Sequence, residues 1–188
     1  GGAVTALVGG TPEWAPPAAL RGAVREYADL PPDASQSPPS DGLRELREAI
    51  AARRGVDPGR VIVTNGTGEA NYLGMARALD RDAGEEALLM DPVYPYYPGK
   101  TNLLDGTPTL VLTARDGGLD VDAIREAASE DTALVVLNTP NNPTGAAYDL
   151  DAVREVVDVA AAVDALVVVD EVYGRFDLSG SFESALSL

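Results

Sequence analysis

The stretch ALVVLNTPNNPTG, residues 133–145, contains the pattern that decides the fold. Its five leading apolar residues predict a strand buried on both faces, because a half-exposed strand would alternate apolar with polar residues. Two prolines and three asparagines then follow within residues 138–145 and predict a rigid turn rich in side-chain amides. We therefore expect a central strand of a parallel sheet with a polar loop at its carboxyl end.

Short apolar runs and helical patterns alternate on both sides of this stretch. Their order predicts an α/β fold, a three-layer sandwich in which helices cover both faces of a mostly parallel sheet. Residues 1–40, rich in Pro and Gly, are expected to form an N-terminal arm and the start of a small domain. Further strands are expected at 61–63, 87–90, 109–112 and 166–169, and helices at 17–28, 43–54, 69–79, 121–128 and 149–163.

Polar or glycine-rich segments stand directly after four of the predicted strands. Ligands of parallel α/β sheets bind at the carboxyl ends of the strands, so these segments are expected to line one crevice. Gly66-Thr67-Gly68 precedes a predicted helix, where free backbone N–H groups and the helix dipole favour an anion. The alternative for this segment is an ordinary strand-to-helix turn.

Asp170 follows the predicted strand at 166–169. Its carboxylate is expected to need a cation or a metal ion nearby, because burying an unpaired charge is costly. Tyr173 stands three residues later and can face the same crevice.

Two further side chains could contact a flat ring. Tyr94 lies between Pro92 and Pro95, in a proline-rich segment expected to be a stiff turn that holds the aromatic ring in a fixed plane. Asn142 carries an amide that can donate to a phenolate-like oxygen. The alternatives are a core or lid tyrosine and a rigid turn capped by asparagine side chains.

The composition excludes several classes of function. The net charge of −16, from 30 acidic and 14 basic residues, repels nucleic acid and anionic membranes. Cysteine and histidine are absent, so Ser-His and Cys-His nucleophile pairs cannot form and no metal site is expected. No apolar run approaches the roughly 18 residues of a membrane span, and a cytoplasmic protein is expected.

Taken together, the segments after the strands resemble fold-type-I enzymes that use pyridoxal 5'-phosphate (PLP), and within them the class I and II aminotransferases of the aspartate aminotransferase type. The resemblance runs from about Leu7 to the last residue. It implies a homodimeric enzyme of amino-acid metabolism and biosynthesis that moves an amino group between an amino acid and a 2-oxo acid. The matching segments are Gly66-Thr67-Gly68-Glu69-Ala70, Pro92-Val93-Tyr94-Pro95, Asn141-Asn142-Pro143-Thr144-Gly145 and Asp170-Glu171-Val172-Tyr173.

The resemblance implies a cofactor contact for each matching segment. Residues 41–188 would be part of the PLP-binding large domain. The turn of Gly66, Thr67 and Gly68 would hold the phosphate, and Tyr94 would stack on the pyridine ring. Asn142 and Tyr173 would hydrogen-bond the phenolic oxygen of the ring.

Asp170 would pair with the pyridine nitrogen and keep it protonated. A protonated nitrogen makes the ring a better electron acceptor. By the same resemblance Asp170 and Tyr173 are the expected catalytic residues, and Gly10 would lie near the substrate carboxylate. The lysine that binds the cofactor covalently in this family would fall beyond Leu188. Lys100 is the only lysine of the chain and stands elsewhere, so the chain is expected to be an inactive fragment.

Several alternatives stay open at this point. The same scaffold carries lyases, decarboxylases and oxidases, and a regulator could bind PLP without catalysis. A P-loop nucleotide hydrolase is more remote. Gly99-Lys100-Thr101 resembles the end of a phosphate-binding loop. Such a loop also requires a glycine five positions before Gly99, and that position is occupied by Tyr94.

Overall fold

The structure is a computed structural model that describes residues 14–178, 180 and 182–188. The chain divides into two compact units, residues 1–40 and residues 41–188. In the described part of the first unit, helix α1 (Ala18–Ala28) follows Pro17, and a 3-10 turn covers Pro32–Ser35. The predicted helix at 17–28 is confirmed, and Gly10 lies outside the described residues.

A parallel sheet forms the centre of the second unit. Its strands are β1 (Glu86–Asp91), β2 (Thr107–Leu112), β3 (Thr132–Asn138) and β4 (Leu166–Asp170), in the order β2-β1-β3-β4. Every pairing is parallel. Each residue of β3 is buried, because this strand has a neighbour on both sides and helices on both faces. The prediction made from residues 133–137 is therefore confirmed.

Helices cover both faces of the sheet and make the three-layer arrangement that the sequence predicts. Side chains of β3 alternate between the two layers: Leu134 and Val136 pack with Met75, while Val135 and Leu137 pack with Ile124. No described helix is long and apolar enough to cross a membrane. The helices of this unit are α2 (Arg44–Arg54), α3 (Gly66–Leu79), α4 (Tyr96–Leu103), α5 (Val121–Ala127) and α6 (Leu150–Ala162), with 3-10 turns at Pro58–Arg60, Gly174–Phe176 and Ala185–Ser187.

The apolar run at 61–63 is not a strand, so this prediction is wrong. The N–H of Val63 donates to the carbonyl of Asp41 at 3.0 Å, but no described strand pairs with the segment. Ile62 remains 64% exposed. A strand needs a neighbour for its backbone N–H and C=O groups, and apolar composition alone does not supply one.

The proline-rich segment after β1 was expected to be a turn, but helix α4 begins within it at Tyr96. Pro98 is the third residue of this helix. The first N–H groups of any helix have no acceptor within it, so a proline in the first turn removes no hydrogen bond. The helix brings two tyrosines, Tyr96 and Tyr97, to the end of the sheet.

Candidate functional site

A cavity of about 190 Å³ lies at the carboxyl ends of the strands in the second unit. Its walls come from the start of α3, the start of α4 and the segments that follow β3 and β4. Gly66 lies one residue before the lining, at the first position of α3. The lining residues are Thr67, Gly68, Tyr94, Tyr96, Tyr97, Asn138, Asn142, Asp170, Val172 and Tyr173.

The glycine turn opens α3 at one side of the cavity. Gly66 has a φ of +76°, a left-handed conformation that glycine adopts without strain. The side chain of Asn65, at the cap position, accepts no hydrogen bond from the first turn of the helix. Apart from the adjacent residues and the backbone of α3 itself, no atom lies within 4 Å of where a Cβ would stand on Gly66 or Gly68. The turn is therefore open to an anion, which the free N–H groups of a helix start favour.

Asp170 lies at the end of β4 and is only 4% exposed. Its Oδ2 accepts from Asn71 Nδ2 at 2.6 Å, Tyr97 OH at 2.7 Å and Tyr96 OH at 3.0 Å. Its Oδ1 accepts from the N–H of Val172 at 2.9 Å. Asp170 has no ion pair among the described residues. Neutral donors thus supply part of the compensation that was expected from a cation.

The two tyrosines beside Asp170 are held in their protonated form. Burial raises the pKa of the Tyr97 hydroxyl far above its ordinary value, and burial also raises the pKa of Tyr96. Both hydroxyls therefore remain donors at neutral pH.

Lys100 links α4 to the glycine turn. Its Nζ donates to the carbonyl of Gly68 at 2.5 Å and lies 4.1 Å from the centre of the Tyr96 ring. Burial lowers the pKa of Lys100, and the negative charge of Asp170 opposes this effect. The contacts place the only lysine of the chain behind Tyr96, where it holds two walls of the cavity together.

The asparagine loop after β3 is tied to the strands on both sides of it. Asn138 accepts from the N–H of Asn142 at 2.8 Å and donates to the carbonyl of Asp170 at 3.3 Å. Asn141 donates to the carbonyl of Pro92 at 3.4 Å. These bonds hold Asn142 in place, and its Nδ2 lies 3.3 Å from the hydroxyl of Tyr173. The two amides at 138 and 141 position the loop, while the amide at 142 faces the cavity.

Asn71, Tyr96 and Tyr97 are part of this site, and the sequence reasoning missed them. One signal could have found Asn71: it shares a helical face with Met75 and Ala78, four and seven residues further on, and both are fully buried. A polar residue on an otherwise apolar face needs a buried partner.

The P-loop alternative is wrong. Gly99-Lys100-Thr101 lies within α4, and the first turn of that helix occupies the place of the open loop that would bind phosphate. Among the residues that the structure describes, no group of three or more Asp and Glu side chains is arranged to hold a metal ion.

Comparison with known proteins places this geometry in a family. Residues 7–187 match the model of the family "Aminotransferase class I and II". Histidinol-phosphate aminotransferase of Methanocella arvoryzae is 36% identical over 156 residues, which are 83% of this chain and 41% of the relative.

Solved structures agree with the sequence match. N-succinyldiaminopimelate aminotransferase of Mycobacterium tuberculosis superposes with a TM-score of 0.83 at 30% identity, over 95% of this chain and 48% of that one. Aspartate aminotransferase of Thermus thermophilus with maleate gives a TM-score of 0.82 at 30% identity, over the same shares of the two chains. The chain thus spans less than half the length of these relatives.

Proposed function

The chain belongs to the class I and II aminotransferases, and from this premise we propose that the full-length protein is a PLP-dependent enzyme that transfers an amino group between an amino acid and a 2-oxo acid. One observation carries the proposal: the glycine turn and the buried carboxylate of Asp170 line the same cavity. PLP has an anionic phosphate at one end and a basic ring nitrogen at the other. A single cavity with an anion site and a carboxylate can therefore hold both ends.

The residues present fit this cofactor. The cradle at Gly66 and Gly68 has open space where side chains would otherwise stand. Asp170 is buried and makes no ion pair among the described residues, and its interaction with the charge of Lys100 is not a direct contact. A protonated ring nitrogen would give it the direct charge partner that its burial favours. When bound, PLP supplies an electron-accepting ring for reactions at the α-carbon of an amino acid.

Each part of the cavity has a proposed task toward the cofactor. The backbone N–H groups at the start of α3 and the side-chain hydroxyl of Thr67 hold the phosphate, since a helix start favours negative charge. Tyr94 is 40% exposed and offers its ring for stacking. Asn142 and Tyr173 lie side by side and donate to the phenolic oxygen.

Asp170 keeps the proton on the ring nitrogen, because a carboxylate next to a base favours its charged form. Gly10 is proposed to lie near the substrate carboxylate. Lys100 is assigned to positioning, since its Nζ is bonded to the carbonyl of Gly68. A lysine outside residues 1–188 is proposed to hold the cofactor covalently, and a homodimer is the proposed assembly.

The family match favours transamination over the lyase, decarboxylase and oxidase alternatives. The test is to titrate the full-length protein, freed of cofactor, with PLP and to assay amino-group transfer from a panel of amino acids to 2-oxoglutarate. We expect visible absorbance from bound PLP and formation of glutamate with at least one donor. A protein that takes up PLP but releases ammonia or carbon dioxide instead would overturn the assignment to aminotransferases. A protein that takes up no PLP would overturn the cofactor as well.

A further inference from the structure

Three neutral donors converge on a single oxygen of Asp170. Asn71 comes from α3, whereas Tyr96 and Tyr97 come from α4, so both helices are bonded to the end of β4. Asn71 and Tyr97 are 4% and 2% exposed. The cofactor contacts proposed above do not require an amide and two phenol side chains at this buried point.

Close packing alone does not require polar side chains at these positions. Position 71 continues a helical face on which Met75 and Ala78 are fully buried, so an apolar side chain would fill it without burying a polar amide. A buried polar side chain can also be satisfied within its own helix. The buried hydroxyl of Thr101 does this by donating to the carbonyl of Tyr97 at 3.0 Å. The bonds of Asn71 and Tyr97 instead span 99 and 73 residues of chain and meet on one carboxylate.

The arrangement has a chemical consequence for Asp170. An ionised carboxylate only accepts hydrogen bonds, and donors reach both oxygens of Asp170 here. Bonds from two helices and from Val172 also fix the plane of the carboxylate relative to the cavity. Charge-assisted hydrogen bonds of this kind are about twice as strong as neutral ones.

We propose that Asn71 and Tyr97 are positioning residues that orient the charged Asp170 toward the cavity and thereby set its preference for a ring with a protonated nitrogen. Tyr96 contributes less, because its oxygen lies 3.0 Å from Oδ2 and its ring is partly exposed at the cavity wall. This inference rests on the proposed function and deepens it, since it names residues that act on the cofactor only through Asp170.

The test compares two probes on the cofactor-free full-length protein: PLP, and its carbocyclic analogue in which a CH group replaces the ring nitrogen. Dissociation constants are measured for the wild type, Asn71→Leu and Tyr97→Phe, and again for each variant combined with Asp170→Asn. Tyr148→Phe is the matched control, because Tyr148 is also buried but packs in the core on the other face of the sheet. Thermal unfolding is recorded for every protein.

We expect Asn71→Leu and Tyr97→Phe each to weaken PLP binding about tenfold or more, as for the loss of a hydrogen bond to a charged group. Binding of the carbocyclic analogue should stay near the wild-type value, and neither change should matter in the Asp170→Asn background. The control should bind both probes normally.

Equal weakening for the two probes, or an effect that persists with Asp170→Asn, would overturn the positioning role and leave only packing. If Asn71→Leu or Tyr97→Phe fails to fold, Tyr96→Phe carries the same comparison with a smaller expected loss. A wild type that binds both probes equally, with no change on Asp170→Asn, would defeat the proposed cofactor role of Asp170. The positioning role would then fall with it.

Discussion

Two carboxylates at opposite ends of the sheet are satisfied in different ways. Glu86, the first residue of β1, accepts from Thr109 Oγ1 at 2.6 Å and Thr132 Oγ1 at 2.8 Å. These hydroxyls come from the strands on either side of β1. Asp170, the last residue of β4, takes its side-chain donors from the helices α3 and α4 instead.

The source of the donors separates a structural carboxylate from a candidate site. Glu86 is held by the sheet itself, so its hydrogen bonds clamp three adjacent strands together. Asp170 itself lines a cavity together with Tyr96 and Tyr97, two of the residues that hold it, so a ligand can reach the same carboxylate. A partly or fully buried carboxylate is therefore not evidence of function unless its surroundings leave room for a partner.

The largest expected effect comes from removing the carboxylate of Asp170, at the end of the sheet that borders the cavity. In the full-length protein, Asp170→Ala should lower kcat/KM for amino-group transfer by about a thousandfold or more, because the charge that keeps the ring nitrogen protonated is lost. Steady-state kinetics with saturating PLP measures this effect. Turnover within a few-fold of wild type would remove Asp170 from the catalytic residues.

Glu86→Ala is the counterpart at the other end of the sheet. Two hydroxyl donors lose their acceptor, so the free energy of unfolding should fall by about 2 kcal/mol in urea titrations. The dissociation constant for PLP should not change in the folded protein. Should Glu86→Ala weaken PLP binding as much as Asp170→Ala does, the contrast between the two ends would be lost.

The glycine turn offers a sharper comparison over two residues. Gly66→Ala should cost about 1–2 kcal/mol of stability, because its φ of +76° strains any residue with a Cβ. Gly68→Ala has space for the methyl group and no such φ, so stability should hold or rise by up to about 1 kcal/mol. Its PLP binding should nevertheless weaken, since the methyl group enters the cavity lining. Urea titration and PLP titration of both variants separate the two effects.

The smallest effect appears at alkaline pH. Burial raises the pKa of Tyr148 from 10.0 to about 12, and burial also raises the pKa of Tyr97. The unfolded chain loses these protons first as the pH rises, so the stability from neutral tyrosines is fully present below pH 10.0 and is lost progressively above it. The expected loss is at most about 1.4 kcal/mol per pH unit for each tyrosine.

Urea unfolding of the wild type and Tyr148→Phe, measured between neutral and alkaline pH, checks this slope. The variant should lose less stability as the pH rises. Equal slopes in the two proteins would mean that Tyr148 ionises in the folded state as it does in the unfolded chain.

The central strands could be predicted from sequence because their apolar runs are short, uninterrupted and followed by turn residues. The same reasoning failed at 61–63, where an apolar run has no described strand beside it. It also failed at Tyr96, where prolines indicated a turn although the first turn of a helix tolerates them. Both errors concern partners, either neighbouring strands or helical hydrogen bonds, that local composition does not specify.

The sequence by itself determined the parallel α/β architecture and the order of the segments at the strand ends, because strand burial and turn chemistry are local properties. It also singled out six candidate residues that the structure brings to one cavity, Thr67, Gly68, Tyr94, Asn142, Asp170 and Tyr173, whose roles toward a cofactor stay predictions. Only the tertiary structure decided which groups satisfy Asp170. Its bonds to Asn71 and Tyr97 cross 99 and 73 residues of chain and form only when α3 and α4 pack beside the end of β4. No periodicity in the sequence specifies this long-range contact between the two helices and the end of β4.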